Sequence, residues 1–267
     1  MSRLLARFGG PVASVAIIAY LLFPVLVVVV ISFISARFLQ FPPPGFSLRW
    51  YERVLQSWDW PAAPMVSLQV GGICTLIAVV LGVLAAFALV RHAVPAKALI
   101  NALLLAALIT PPIVLALALY LFLLPLGLLN SALVLGAVHA VSGVPFVVIN
   151  VAASLKGFDR TLERAAIIHG ATPLGAIRQV TLPVIAPAIV IGAIFAFLQS
   201  TQELLVAMFL MGTIRKPFAV KLWEGVRESV DPTITATSSV FVLLAVLAFI
   251  SAALLNQYSR RLTQAQR

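Results

Sequence analysis

Few side chains in this sequence are equipped for chemistry, and they gather in two places. One is a polar stripe, Gln199, Ser200, Gln202 and Glu203, near the end of a long apolar run. At helical spacing these four share an arc of about 160°, with Thr201 outside it. Glu203 is the only acidic residue within such a run. A charged carboxylate facing lipid is costly, so the stripe is expected to face protein or water. The second place is a polar interruption between two apolar runs, Leu155 to Pro187, reading LKGFDRTLERAAIIHGATPLGAIRQVTLPVIAP. A loop of this length is uncommon unless it carries function or its own structure.

Other chemistries are excluded. No G-x-x-x-x-G-K-[ST] run is present, so the chain lacks that phosphate cradle and is not expected to hydrolyse ATP itself. No His, Asp and Glu set has metal-ligand spacing, and no Ser or Cys nucleophile has a plausible His partner outside the apolar runs. The single cysteine, Cys74, lies in an apolar run and reads as a small core residue, with no intrachain disulfide available. His139 also falls in an apolar run, where ionisable residues are candidates for function. It stands alone there, and a neutral imidazole bonded to a neighbouring carbonyl is expected.

The elements that must position these residues are set by composition. Of 267 residues, 62% are hydrophobic and 10% charged, far below the roughly 25% charged of a soluble domain. So little polar surface cannot cover so many apolar side chains in water. The chain is therefore expected to be an all-α polytopic membrane protein with about six transmembrane helices, one domain over residues 1–267. The net charge of +10 suggests nucleic acid, but the charges flank apolar runs, where they set topology instead. No nucleic-acid partner is expected.

In order, the first span is expected over about Val12 to Phe33, after a start carrying Arg3 and Arg7. It is too long for a signal-peptide core of about 7–15 residues and is read as retained. Pro42, Pro43, Pro44 and Gly45 break the next stretch, and Ser47 can cap a short amphipathic helix with Trp50, Tyr51 and Leu55. Trp50, Tyr51, Trp58 and Trp60 suit a membrane–water interface. The second span covers about Met65 to Val90, and the third about Ala98 to Leu124, interrupted by Pro111 and Pro112. Proline there frees backbone carbonyls that a neighbour or a wet cavity must satisfy. A fourth span, about Ser131 to Leu155, precedes the polar loop, and a fifth, about Val184 to Met211, follows it. Phe218, Leu222, Trp223 and Val226 then recur at helical spacing opposite Lys221, Glu224, Arg227 and Glu228, a surface-lying helix. Asp231 and Pro232 cap and start a sixth span, about Thr233 to Leu255.

Within the polar loop, Asp159 can cap a short helix running to about His169, and Gly170 is the residue type that ends one in a left-handed turn. Thr172 and Pro173 supply a second cap and first-turn pair. Two short helices result, with Pro183 and Pro187 marking re-entry into the membrane. Small residues Ala165 and Ala166 suggest a knob that docks into a partner.

The run Arg164-Ala165-Ala166-x-x-x-Gly170, then nine residues, then Val180-x-Leu182-Pro183 resembles the EAA loop of ABC-importer permease subunits. That pattern is Glu-Ala-Ala-x3-Gly-x9-Ile-x-Leu-Pro, so Arg164 and Val180 depart from it, while Glu163 matches an acidic residue that often precedes it. Pro42 to Tyr51, the stretch from Lys221 to Thr233, and Ser200-Thr201-Gln202-Glu203 resemble the spermidine/putrescine-type branch, whose comparable stretch often reads Ser-Phe-Asp-Glu. Gln202 thus stands where one carboxylate is usual. The resemblance implies a type I ABC-importer permease fold in a bacterial inner membrane. Glu163, Arg164, Ala165, Ala166, Gly170, Leu182 and Pro183 would couple to ATP-binding subunits, which carry the ATP and Mg²⁺. A second permease subunit and an extracytoplasmic substrate-binding protein are the further partners implied. Gln199, Ser200, Gln202 and Glu203 would line the substrate path, with a polyamine as the favoured solute.

Charge sets the orientation independently. With six spans, the termini, the Arg91–Lys97 connection and the polar loop share one side and hold eleven Lys and Arg, against seven on the other. Lys and Arg resist translocation, which makes the first side cytoplasmic. Counting along the fifth span from Val184 then puts Glu203 nearer the outer surface than the midplane. An ion-coupled secondary carrier or channel is the alternative. It would show intramembrane charge pairs and inverted repeats, of which the sequence shows neither.

Overall fold

The computed structural model describes residues 2–212, 215–228, 231–243 and 246. In chain order the helices are α1 (Ser2–Ser32), α2 (Arg49–Gln56), α3 (Asp59–Arg91), α4 (Lys97–Ile109), α5 (Pro112–Leu123), α6 (Ala132–Lys156), α7 (Thr161–Ile168) and α8 (Pro173–Ala176). A π-helical turn (Ile177–Thr181), α9 (Leu182–Gln202), α10 (Leu205–Leu210) and α11 (Phe218–Glu228) follow, then α12 (Thr233–Leu243). The described residues contain no strand beyond one isolated bridge, Ile34 to Phe46. Among the described residues four helices are long and apolar enough to cross a membrane, five when the bent pair α4 and α5 counts as one span. The fold is the all-α polytopic one expected. The expected sixth span begins in α12 and otherwise lies mostly outside the described residues.

Two compact units are present, residues 62–221 and residues 1–61 with those from 222 on. In the first, α3, α6 and α9 pack on one another. Small residues bring the backbones together, as they must where lipid offers no hydrophobic drive for helix association. A Cβ on Gly82 would sit 2.6 Å from Val147 Cβ, and one on Gly192 would sit 2.8 Å from Val147 Cα. Val147, Val151, Ile185 and Ala196 are fully buried around this crossing. Cys74 is also fully buried, its thiol 3.7 Å from the Ala196 carbonyl, as a core residue should be.

In the second unit Trp50 is packed within the protein. It is 5% exposed, and its indole N–H donates to the Ile34 carbonyl at 2.7 Å. The α2 face is amphipathic enough to bury this ring while Trp58 stays 71% exposed. Asp231 caps α12 by accepting from the Thr233 N–H and hydroxyl, and Arg53 pairs with it at 3.0 Å. On α11, Trp223 and Val226 are exposed, as on a helix presenting an apolar stripe outward.

Three boundaries differ from those read off the sequence. α1 reaches back to Ser2, through the charged lead. The polar loop holds one separate helix, not two, because α8 continues through the π turn into α9 as one helical run, Pro173–Gln202. Pro183 therefore lies inside a continuous helix. It lacks an N–H and crowds the carbonyl four residues back, and the wider π turn before it relieves both. The fifth span also stops early. α9 ends at Gln202, Glu203 adopts extended backbone, and α10 starts at Leu205.

Candidate functional site

The polar loop holds one separate helix where two were expected, but its local turns follow the sequence. Asp159 accepts from the Thr161 N–H at 2.9 Å and the Thr161 hydroxyl at 2.7 Å, closing the turn that starts α7. These two bonds, the backbone one foremost, hold its carboxyl below the usual range. Gly170 has φ +95°, the left-handed turn expected of it, and Thr172 accepts from the Gly175 N–H at 3.0 Å. No residue of α7 is buried. Arg164 and Ala165 are exposed, Ala166 half-buried, and Ile168 is 83% exposed, so the helix offers a mixed face to something outside the chain. Of the motif's end, Leu182 packs against the core around Val147, and Pro183 is exposed.

Glu163 does not take part in that outward face. Its carboxylate accepts from the Arg91 guanidinium at 2.7 Å and from the Thr181 hydroxyl. The two ion-paired side chains are only 10% and 15% exposed. Burial pushes the Glu163 carboxyl up, but the bonds from Thr181 and Arg91 and the charges of Arg91 and Arg160 outweigh it, and the group lies below its ordinary value. Arg91 in turn lies over the Phe87 ring at 4.8 Å and the Phe158 ring at 5.7 Å. Arg91 and Thr181 escape a sequence reading. A basic residue ending an apolar run signals topology, and nothing in the spacing links it to Glu163.

The polar stripe is only partly a stripe. Ser200 is 4% exposed and its hydroxyl lies 2.8 Å from His139 Nδ1, a hydroxyl where a carbonyl partner was expected. Gln202 is exposed and is not in the lining of the cavity that holds Gln199 and Glu203. Because α9 ends at Gln202, Glu203 is not placed by helical periodicity. Its Oε1 accepts from the Val206 N–H at 3.3 Å, which starts the next turn.

What the structure assembles instead is a cavity of about 160 Å³ where two spans break. α4 and α5 meet at a 99° bend around Pro111, and α9 gives way to α10 at Glu203. Thr110, His139, Ser142, Gln199 and Glu203 supply its polar lining, with Leu108, Val138, Phe146 and Val206 among the apolar walls. Gln199 Oε1 and His139 Nε2 are buried with no hydrogen-bond partner among the described residues. Unmet polar atoms are expensive inside a protein, and interrupted membrane helices with free polar groups are a recurrent way to build a solute site. Thr110, His139 and Ser142 join the site although only His139 stood out in the sequence. Proximity to Pro111 is the one signal that points to Thr110.

Known proteins resemble the chain over most of its length. The chain is 29% identical over 240 residues to the spermidine/putrescine transport system permease protein PotC of Escherichia coli (strain K12), covering 90% of each. It is also 29% identical over 230 residues to the putrescine transport system permease protein PotI of the same strain, covering 84% of this chain and 82% of that one. Among solved structures, a permease chain of a bacterial alginate ABC transporter, in complex with an alginate pentasaccharide-bound periplasmic protein, shares the fold. Its TM-score is 0.68 at 15% identity, covering 98% of this chain and 96% of that one. Residues 78–263 match the family described as binding-protein-dependent transport system inner membrane component. That match sets aside the ion-coupled carrier, and the chain belongs to this family, the membrane permeases of ABC importers.

Proposed function

We propose that this permease passes a polyamine such as spermidine or putrescine across the membrane through the cavity at the two helix breaks. The observation that carries the reading is Glu203 together with Gln199 in the lining of that cavity, a carboxylate and an amide oxygen. Both accept hydrogen bonds, and an alkylammonium group only donates them. The carboxylate also offsets the desolvation of a cation, which an apolar channel could not. The relatives named for spermidine and putrescine transport support the same substrate class.

The energy is supplied from outside this chain. α7 docks on an ATP-binding subunit, with ATP and Mg²⁺ held there. Arg164 and Ala165 face that partner, Ala166 permits close approach, and Gly170 sets the angle between α7 and the helical run that starts at Pro173. ATP-driven closure of the partner moves α7, and the Pro173–Gln202 run carries the displacement to Gln199 and Ser200. A second permease subunit completes the path, and an external binding protein delivers the solute. The excess of Lys and Arg beside the loop supports a cytoplasmic position for it, with both termini on that side.

The test is uptake by the full transporter reconstituted in liposomes with internal ATP and loaded binding protein. Putrescine and spermidine should be taken up. Glu203→Gln should lower uptake by roughly tenfold or more, the worth of one charge-assisted hydrogen bond. Transport of a neutral sugar with no response to polyamines, or an unaltered rate in Glu203→Gln, would refute the assignment.

A further inference from the structure

No residue of α7 is fully buried, so apolar burial does little to fix its angle. The chain ties it to α6 through residues 157–160 and to α9 through α8 and the π turn. Nothing covalent nearby ties it to α3, whose last residue is Arg91. The Arg91–Glu163 ion pair supplies that third tie, and Thr181, fully buried in the π turn, bonds the same carboxylate.

We propose that Arg91 is a positioning residue for energy coupling, holding Glu163 in a latch through which movement of α7 reaches α3 and α9 together. This rests on the reading of α7 as the helix that docks on the ATP-binding subunit. Three features fit a latch better than a passive surface pair. The two side chains are nearly enclosed, so their attraction is little screened by water or salt. The Phe87 and Phe158 rings restrict the guanidinium, so the pair transmits displacement. Arg91 Nη2 is buried without a hydrogen-bond partner, so the contact uses one edge of the fork and leaves the other for a different arrangement.

The experiment uses the full transporter in liposomes, with Ala165→Cys present throughout to report cross-linking of α7 to the ATP-binding subunit. Arg91→Gln and Glu163→Gln should still cross-link, yet solute imported per ATP hydrolysed should fall roughly tenfold, within the usual range of coupling between sites. Arg91→Lys should recover part of the loss. The exchange Arg91→Glu with Glu163→Arg should recover most of it, which a residue needed only for bulk would not do. A cross-linked Arg91→Gln transporter with unchanged stoichiometry overturns the latch alone, and so does an exchange variant no better than either single change. Absence of the cross-link with Arg91 and Glu163 intact overturns the docking reading, and the latch with it.

Discussion

The crossing of α6 and α9 makes a stability prediction that can be worked from distances. Replacing Gly192 with alanine puts a methyl 2.8 Å from Val147 Cα and 3.4 Å from Val147 Cβ. Carbon atoms settle at about 3.5–4.0 Å, so the nearest contact is short by about 1 Å. The nearest obstacle is backbone, which no rotamer change can remove, and the helices must part. Overpacking of this kind costs about 1–3 kcal/mol, set against about 1 kcal/mol gained from replacing glycine within a helix. Gly72 on α3 provides the control, since a methyl there meets nothing within 4 Å. Gly72→Ala should show the helix gain alone, and the two variants should differ by about 1–3 kcal/mol. The assay is the temperature at which half the purified protein stays monodisperse in detergent, with Gly192→Ala several degrees below Gly72→Ala. Equal temperatures, or the reverse order, would show that α6 and α9 do not cross as described. Because Ser200 and His139 meet eight residues further along α9, Gly192→Ala should also slow transport.

The Glu163 carboxyl lies below its ordinary 4.5, so the ion pair's contribution is complete above pH 4.5 and is lost as pH falls through the lower folded value. The thermal-stability gap between Glu163 and Glu163→Gln should therefore close as pH drops below 4.5, and a gap that widened instead would contradict the pairing. Gly170→Pro removes the N–H that bonds the Ile167 carbonyl at 2.9 Å and cannot adopt φ +95°. Membrane insertion should persist while uptake is abolished, and normal substrate-stimulated ATPase activity in the assembled variant would count against docking through α7.

The sequence was most legible where one residue type has one local use. Asp159 closes a turn onto Thr161, Gly170 turns left-handed, and Thr172 with Pro173 opens a helix, each as its chemistry requires. Long apolar runs gave the spans for the same reason. Interruptions inside apolar runs were harder. Pro111 and Pro112 announce a break but not its angle, which tertiary contacts set at 99°. The end of α9 carries no such mark, because no proline or glycine stands there and the apolar run resumes at once from Leu204 to Leu210. The helical arc drawn through Glu203 failed there, and the cavity rests on a break rather than a stripe. Least legible was the Arg91 pairing. It depends on how helices far apart in the chain come together, and a lone arginine after a span carries no trace of that.

The π turn before Leu182 has a consequence for how insertions and deletions would act. A π turn accommodates one residue more than the α-helical turn it replaces, and each residue in a helix advances about 100°. The turn at Ile177–Thr181 therefore sets the rotational phase between α8 and the face of α9 that carries Gln199 and Ser200. Removing one residue there would restore plain α-helical winding and keep every side chain of the cavity. It would also aim that face elsewhere, so under the docking proposed above a displacement of α7 would reach the cavity out of phase.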